Sequence, residues 1–204
     1  MQYGCGLSAP AQWLNFDASP TLRLQRLPLV GGVFTIGAVR FPPNVRYGDV
    51  VKGLPVESDS CRGVYSSHIL EHVPYVDAKA AIRETFRCVA PGGTFRIVLP
   101  DLELFAREYV DKLHAEPATT FMRCLQMGQE TRSRGLFDFL RSWLGNQKHL
   151  WMWDFDSLRD ELAKSGFIEI RRAKMGDSPD PRFAEVEEQS RWEGFLGMEA
   201  RKPV

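Results

Sequence analysis

The residues with the clearest capacity for chemistry sit at turns. Gly4-Cys5-Gly6 lets backbone approach a ligand closely, because glycine accepts positive φ and has no side chain to hold the ligand away. An ordinary turn near a chain terminus explains the same triplet. Asp17 ends the run Trp13-Leu14-Asn15-Phe16, and a carboxylate at a strand end can accept hydrogen bonds from both hydroxyls of a ribose, as in nucleotide-binding folds. It could equally cap the turn at Ser19-Pro20. Asp49, in Gly48-Asp49-Val50, could set a carboxylate beside the amino group of an adenine, although Gly-Asp is also a common turn pair. His68 and His149 are the candidate bases, within hydrogen-bond reach of an acceptor only if the fold brings them to it.

These residues need elements to position them, and the clearest are central. Residues 63–69, GVYSSHI, read as a strand. LEHVPYVDAKAAIRETFRCVA reads as a helix, with Ala78, Ile82 and Val89 on one side and Arg83, Glu84 and Arg87 on the other. Pro91 stops that helix, Gly92-Gly93 makes the turn, and TFRIVLP returns as a strand. Strand, helix and strand make a right-handed βαβ unit in a parallel sheet. Upstream, WLNF to Asp17 and VRYGDV to about Asp49 read as further strands. Residues 21–44 are a short helix or an irregular crossover.

Downstream, DLELFAREYVDKLHA is a helix capped by Asp101 and broken by Pro117, followed by helical residues 118–145 with the polar interruption MGQETRSRG. DFDSLRDELAKSGF is a helix begun by Asp156 or Ser157 and stopped by Gly166. IEIRRA and FLGMEARKP are the last strands. No repeat or linker interrupts the chain, so residues 1–204 are expected to form a single domain.

Composition narrows the function. With 26 basic and 26 acidic residues among 204, no long-range field favours a polyanion, so no nucleic-acid partner is expected. The apolar runs fall short of the roughly 20 residues that cross a bilayer. No membrane association and no secretory signal are expected, and the chain reads as cytoplasmic. Cys5, Cys61, Cys88 and Cys124 form no CxxC pair and lack histidines at finger spacing, so no metal is expected and the thiols are read as reduced.

The stretch GVYSSHILEHVPYVDAKAAIRETFRCVAPGGTFRIVLPD at residues 63–101 resembles the class I S-adenosylmethionine-dependent methyltransferases, of the type 11-like branch. In that family the fourth strand runs into an HxLEH helix start, and a PGG turn leads to the fifth strand. With GCG, the Asp17 strand end and GDVVKGLP in the family's order, and WDFDSLRDELAKSGFIEIRR matching its last helix and sixth strand, the resemblance covers nearly the whole chain. It implies an α/β, Rossmann-like fold with a mostly parallel sheet of six or seven strands, helices on both faces and a shortened N-terminal part.

The resemblance also implies S-adenosylmethionine as cofactor. Gly4, Cys5 and Gly6 would lie at its methionine end, Asp17 at the ribose and Asp49 with Val50 at the adenine. Ser66, Ser67 and His68 would border the sulfonium. Glu71, His72 and Pro91-Gly92-Gly93 are read as structural, the first two as a helix start. Ten residues separate Gly6 from Asp17, too few for a full helix and the second strand, which reduces the cofactor wall.

The acceptor is expected to be a small molecule or glycan-like compound. Its pocket would draw on His149, Trp151, Trp153, His114 and Gln129–Arg134, with the tryptophans alternatively packing in the core. A methyltransferase-fold binding or partner protein without turnover is the rival reading. A nicotinamide oxidoreductase would need GxGxxG after the first strand, where this chain has Gly4-Cys5-Gly6-Leu7-Ser8-Ala9.

Overall fold

The computed structural model describes residues 1–27, 40–128, 130 and 148–204. Its strands are β1 Gln2–Tyr3, β2 Asn15–Asp17, β3 Val45–Tyr47, β4 Cys61–Ser67, β5 Val89–Leu99, β6 Ile168–Arg172 and β7 Leu196–Arg201. Its helices are α1 Pro20–Gln25, α2 Tyr75–Cys88, α3 Leu102–Val110, α4 Pro117–Cys124, α5 Phe155–Lys164 and α6 Gln189–Trp192. The seven strands form one sheet in the order β3-β2-β1-β4-β5-β7-β6. Strands β1 to β5 are parallel, and β7 enters antiparallel between β5 and β6. The order reverses between β1 and β4. In an open α/β sheet, that reversal opens a crevice at the carboxyl ends of the two strands.

Period-two alternation sends β5 residues to opposite faces. Phe95, Ile97 and Leu99 join the main core with Val64 of β4, Ala78, Ala81 and Ile82 of α2, and Leu158 and Leu162 of α5. Val98 and Tyr65 face the other way, onto Phe183, Val186 and Trp192. The small alanines of α2 let that helix lie close to the sheet. Arg96 also points to this second face. It is fully buried and binds Glu187, Glu199 and Asp177 at 2.6 to 2.9 Å, with Trp192 across its guanidinium.

Several boundaries differ from those the sequence pattern predicts. Leu70–His72 is a separate 3-10 turn, and α2 begins at Tyr75, because Pro74 holds Val73 in an extended conformation (φ −117°, ψ 151°) and the helix cannot run through. Glu71 and His72 therefore do not start the helix. The helix ends at Cys88, and Pro91-Gly92-Gly93 lies inside β5 as an irregularity, since Val89 already pairs with Cys61 before the register resumes at Gly63 and Thr94. Asp154, rather than Asp156 or Ser157, caps α5 through a capping box with Ser157. Helix α3 stops at Val110, and Pro117 opens α4 instead of closing α3. Of the helical stretch expected over 118–145, Pro117–Cys124 is helical. Residues 129 and 131–147 lie outside the described residues, as do 28–39 of the uncertain 21–44 segment. No helix among the described residues is long and apolar enough to cross a membrane.

The Arg96 cluster ties the segment after β6 across the sheet face. Removing its cation would leave Glu187 and Glu199 buried without a counter-charge. Arg96→Ala should lower unfolding free energy by about 3 to 5 kcal/mol in urea titrations. Arg96→Lys should recover only a minor part, because one ammonium cannot reproduce the planar fork.

Candidate functional site

At the reversal point, a cavity of about 610 Å³ opens over the carboxyl ends of the parallel strands. Tyr3 and Gly4 border it from β1, Asp17 to Thr21 from β2, Gly48 to Val51 from β3, and Ile69, His72 and Val73 from β4. Gly4 sits at φ 65°, in the left-handed region that favours glycine, and a Cβ there would overlap Ile69 Cδ1. Residues 4–14 contain no helix, so the connection from β1 to β2 is made entirely of turns, as the short Gly6 to Asp17 spacing predicts.

Asp17 is nearly buried and already holds the turn. Its Oδ2 accepts from Gly6 N at 2.9 Å and its Oδ1 from Ser19 N at 2.8 Å. Each carboxylate oxygen keeps a second lone pair for a further donor. Asp49 accepts from Val51 N at 3.0 Å and pairs with the exposed Lys52 at 3.2 Å. Of the cofactor residues expected from sequence, Gly4, Asp17, Asp49 and Val50 thus share one cavity.

Cys5, Gly6, Ser66, Ser67 and His68 do not line it. The Cys5 side chain packs with Leu22, Phe41 and Val45, and burial pushes its thiol up to about 12. Gly6 contributes through its N–H to Asp17. Ser66 is fully buried. Ser67 Oγ lies 3.0 Å from His68 Nδ1, and the His68 ring stands edge-on to Phe195 at 4.6 Å. Burial, aided by Arg191, His72 and His149, pushes His68 down to about 4, so its imidazole is neutral near pH 7.

A second cavity, of about 1080 Å³, is lined among the described residues by Thr119, Met122, Arg123, Gln126, Gly128, Glu130 and Lys148, together with His72. His72 borders both cavities. Next to it lie two groups that did not stand out as partners in the sequence. Leu150 N and Trp151 N donate to the Glu71 carbonyl at 2.6 and 3.2 Å, which docks residues 148–151 against the Leu70–His72 turn. The docking brings His149 to a ring distance of 5.0 Å from His72. The ligand atoms of Glu71, His72 and His149 all fall within 4.8 Å of one another.

The Glu71 side chain is fully buried, and neither carboxylate oxygen has a hydrogen-bond partner among the described residues. Burial pushes it up to about 8. His149 is buried too, with its Nδ1 unpartnered among the described residues, and burial and His72 lower its pKa. Trp153 is core, whereas Trp151 is exposed and stacks on Tyr75 at 4.6 Å. His114 pairs with Glu108 at 3.4 Å and lines neither cavity. Of the Gln129–Arg134 segment, only Glu130 is described, and it pairs with Arg123 at 2.7 Å.

Residues 8–169 match the family model described as a methyltransferase domain. No curated protein matches the sequence. Among solved structures, an S-adenosylmethionine-dependent methyltransferase of Thermotoga maritima aligns at a TM-score of 0.52 and 16% identity, over 98% of this chain and 80% of its own. One from Archaeoglobus fulgidus aligns at 0.50 and 14%, over 98% and 84%. A chain of a Haloferax volcanii complex, between the Trm112 methyltransferase activator and a methyltransferase, aligns at 0.50 and 16%, over 100% and 81%. At these identities the structures speak for the fold.

The Glu71 carboxyl gives a pH signature. It holds its proton in the folded protein up to about pH 8 but releases it near 4.5 once unfolded. Unfolding between those values therefore sheds a proton and is favoured as pH rises. In chelator-containing buffer, stability should decline between about pH 4.5 and 8, at no more than about 1.4 kcal/mol per pH unit from this group. Glu71→Gln should gain on wild type across the same window. Urea midpoints measured through that range test this, and a constant offset between the two proteins refutes it.

Proposed function

The chain belongs to the methyltransferase-domain family, with the class I S-adenosylmethionine-dependent fold, and on that premise we propose that it binds S-adenosylmethionine in the 610 Å³ cavity and methylates a small-molecule or glycan-like acceptor. The observation that carries this reading is the placement of Gly4 and Asp17 beside the strand-order reversal, in a cavity that shares His72 with a second one.

The residues present fit the cofactor. Asp17 offers lone pairs to the ribose hydroxyls while its backbone contacts hold it still. Asp49, Val50 and Val51 form a polar edge beside an apolar slot for adenine. Gly4 lines the cavity beside Ile69, whose side chain fills the space that a Cβ at Gly4 would need. When bound, S-adenosylmethionine supplies a methyl group on a sulfonium that is already a good leaving group, so alignment accounts for most of the catalysis. The chain's own contribution is then positioning and exclusion of water by Ile69 and Val73. His68 and His149 are the side chains to test as bases.

The larger cavity, with Arg123, Glu130, Lys148 and Thr119 on its wall, suits a polar acceptor of modest size. The even charge balance supports a partner other than nucleic acid. Residues 1–204 act as one domain in this reading. The free, buried thiols of Cys5, Cys61 and Cys88 fit a reducing cytoplasm. A nicotinamide enzyme is disfavoured by the antiparallel β7 and by the lack of a helix after the glycine turn, whose N-terminus would hold the pyrophosphate.

Calorimetric titration with S-adenosylmethionine, S-adenosylhomocysteine and NAD tests the proposal. The two sulfur compounds should bind saturably and NAD should not. Asp17→Ala should weaken the former by about 1 to 3 kcal/mol. Binding without turnover across an acceptor screen would favour the rival reading, a binding protein built on this fold. No binding at millimolar ligand would overturn the cofactor assignment.

A further inference from the structure

Cofactor binding leaves one cluster unexplained, the carboxylate and two imidazoles gathered around His72, which lines both cavities. We propose that Glu71, His72 and His149 form a binding site for a single divalent transition-metal ion of the zinc, iron, manganese and cobalt class. The inference rests on these three side chains and is independent of the cofactor reading.

Four observations converge. The three ligand atoms lie within 4.8 Å of one another, although His149 comes from a distant part of the chain. Glu71 is fully buried with neither oxygen partnered among the described residues, and a lone buried carboxylate is costly unless a cation or a proton neutralises it. The buried His149 Nδ1 likewise has no partner among the described residues. Finally, a backbone carbonyl orients the His72 imidazole. His72 Nδ1 lies 3.2 Å from Lys148 O, with its Nε2 3.9 Å from Glu71 Oε1. Metal-binding histidines are characteristically held in this way, one nitrogen on a carbonyl and the other toward the ion.

The donor set selects the metal class. Two imidazoles and one carboxylate suit zinc, iron, manganese or cobalt, whereas magnesium and calcium prefer oxygen throughout. Bonds of about 2.0 to 2.2 Å draw ligands closer together than they now stand, so small side-chain rotations would complete the site. Three protein ligands leave a coordination position for water or for an acceptor oxygen. Because His72 borders both cavities, an ion here would sit beside the path between cofactor and acceptor. A plain Glu71–His72 ion pair is the competing account of the same residues.

The test is calorimetric titration of the chelator-stripped chain with zinc chloride and manganese chloride, magnesium chloride serving as control, followed by elemental analysis after gel filtration. One equivalent of zinc or manganese should remain bound, without magnesium. Glu71→Gln and His149→Ala should each weaken that binding at least about tenfold. Zinc should raise the melting temperature of wild type but not of Glu71→Gln, and circular dichroism of the metal-free proteins shows whether both variants are folded. If one variant fails to fold, the other decides. Unchanged affinity in a folded variant, equal retention of magnesium, or no uptake at millimolar metal would each overturn the proposal.

Discussion

The arrangement depends on a strand of two residues. Strand β1, Gln2–Tyr3, lies mid-sheet between β2 and β4, and so short a ladder cannot fix its own register. Side chains do it instead. Tyr3 Oη accepts from Thr85 Oγ1 of α2 at 3.0 Å, and Gln2 Nε2 donates to Asn15 Oδ1 of β2 at 2.7 Å and to Ser8 O at 2.8 Å. Asn15 in turn donates to Pro10 O and Trp13 O. These bonds pin the helix-free connection at both ends, so that Gly4 leaves the sheet where its order reverses. Asp17 closes the circuit through Gly6 N. Asp17 is therefore also the brace of the glycine turn, and the two sides of the crevice that it joins are mechanically coupled.

Charge is buried in two contrasting ways. Arg96 lies in a closed cluster whose acceptors match its fork, with aromatic rings over it. Such a cluster specifies packing and has no capacity left for a ligand. Glu71, on the β4 side of the crevice, is equally buried but has no hydrogen-bond partner among the described residues. Native structures satisfy nearly all buried polar groups. An exception beside a cavity, with a strongly displaced pKa, is the pattern expected of a functional group rather than of a packing residue.

What the sequence makes legible follows from range. The βαβ unit around α2, the strand end at Asp17 and the lack of a helix between Gly6 and Asp17 are local, and local periodicity and turn chemistry disclose them, whereas the strand expected to run to about Asp49 stops at Tyr47 and leaves Asp49 in the turn beyond. Helix boundaries at Pro74 and Pro91 are misread because the apolar spacing runs on across them, while the backbone obeys proline's restriction at the first and sheet pairing at the second. In the site, Gly4, Asp17, Asp49 and Val50 follow from strand ends. Cys5 and His68 do not reach the cavity, since the Cys5 side chain turns into a packing cluster and His68 takes a left-handed backbone (φ 54°) against Phe195. The approach of His149 to Glu71 and His72 has no local signal. His72 and its contact Lys148 are 76 residues apart, and only the tertiary docking of 148–151 brings them together.

The missing helix after β1 shifts the burden of ligand recognition across the sheet. In a doubly wound fold, the helix that follows the first strand presents its N-terminal N–H groups to the ligand. Here that stretch contributes turns and two glycines, of which Gly4 lines the cavity and Gly6 has its N–H already committed to Asp17. The groups left facing the crevice from the centre of the sheet are those after β4, where Ile69 walls the glycine and His72 opens onto the second cavity. A site built this way adds the polarity of His72 in the Leu70–His72 turn to that of Asp17 and Asp49. That turn keeps its shape because Pro74 separates it from α2 and the amides of Leu150 and Trp151 anchor its carbonyl. Pro74, which breaks the helix, and the anchored 148–151 segment therefore position Glu71 beside His72, the residue that both cavities share.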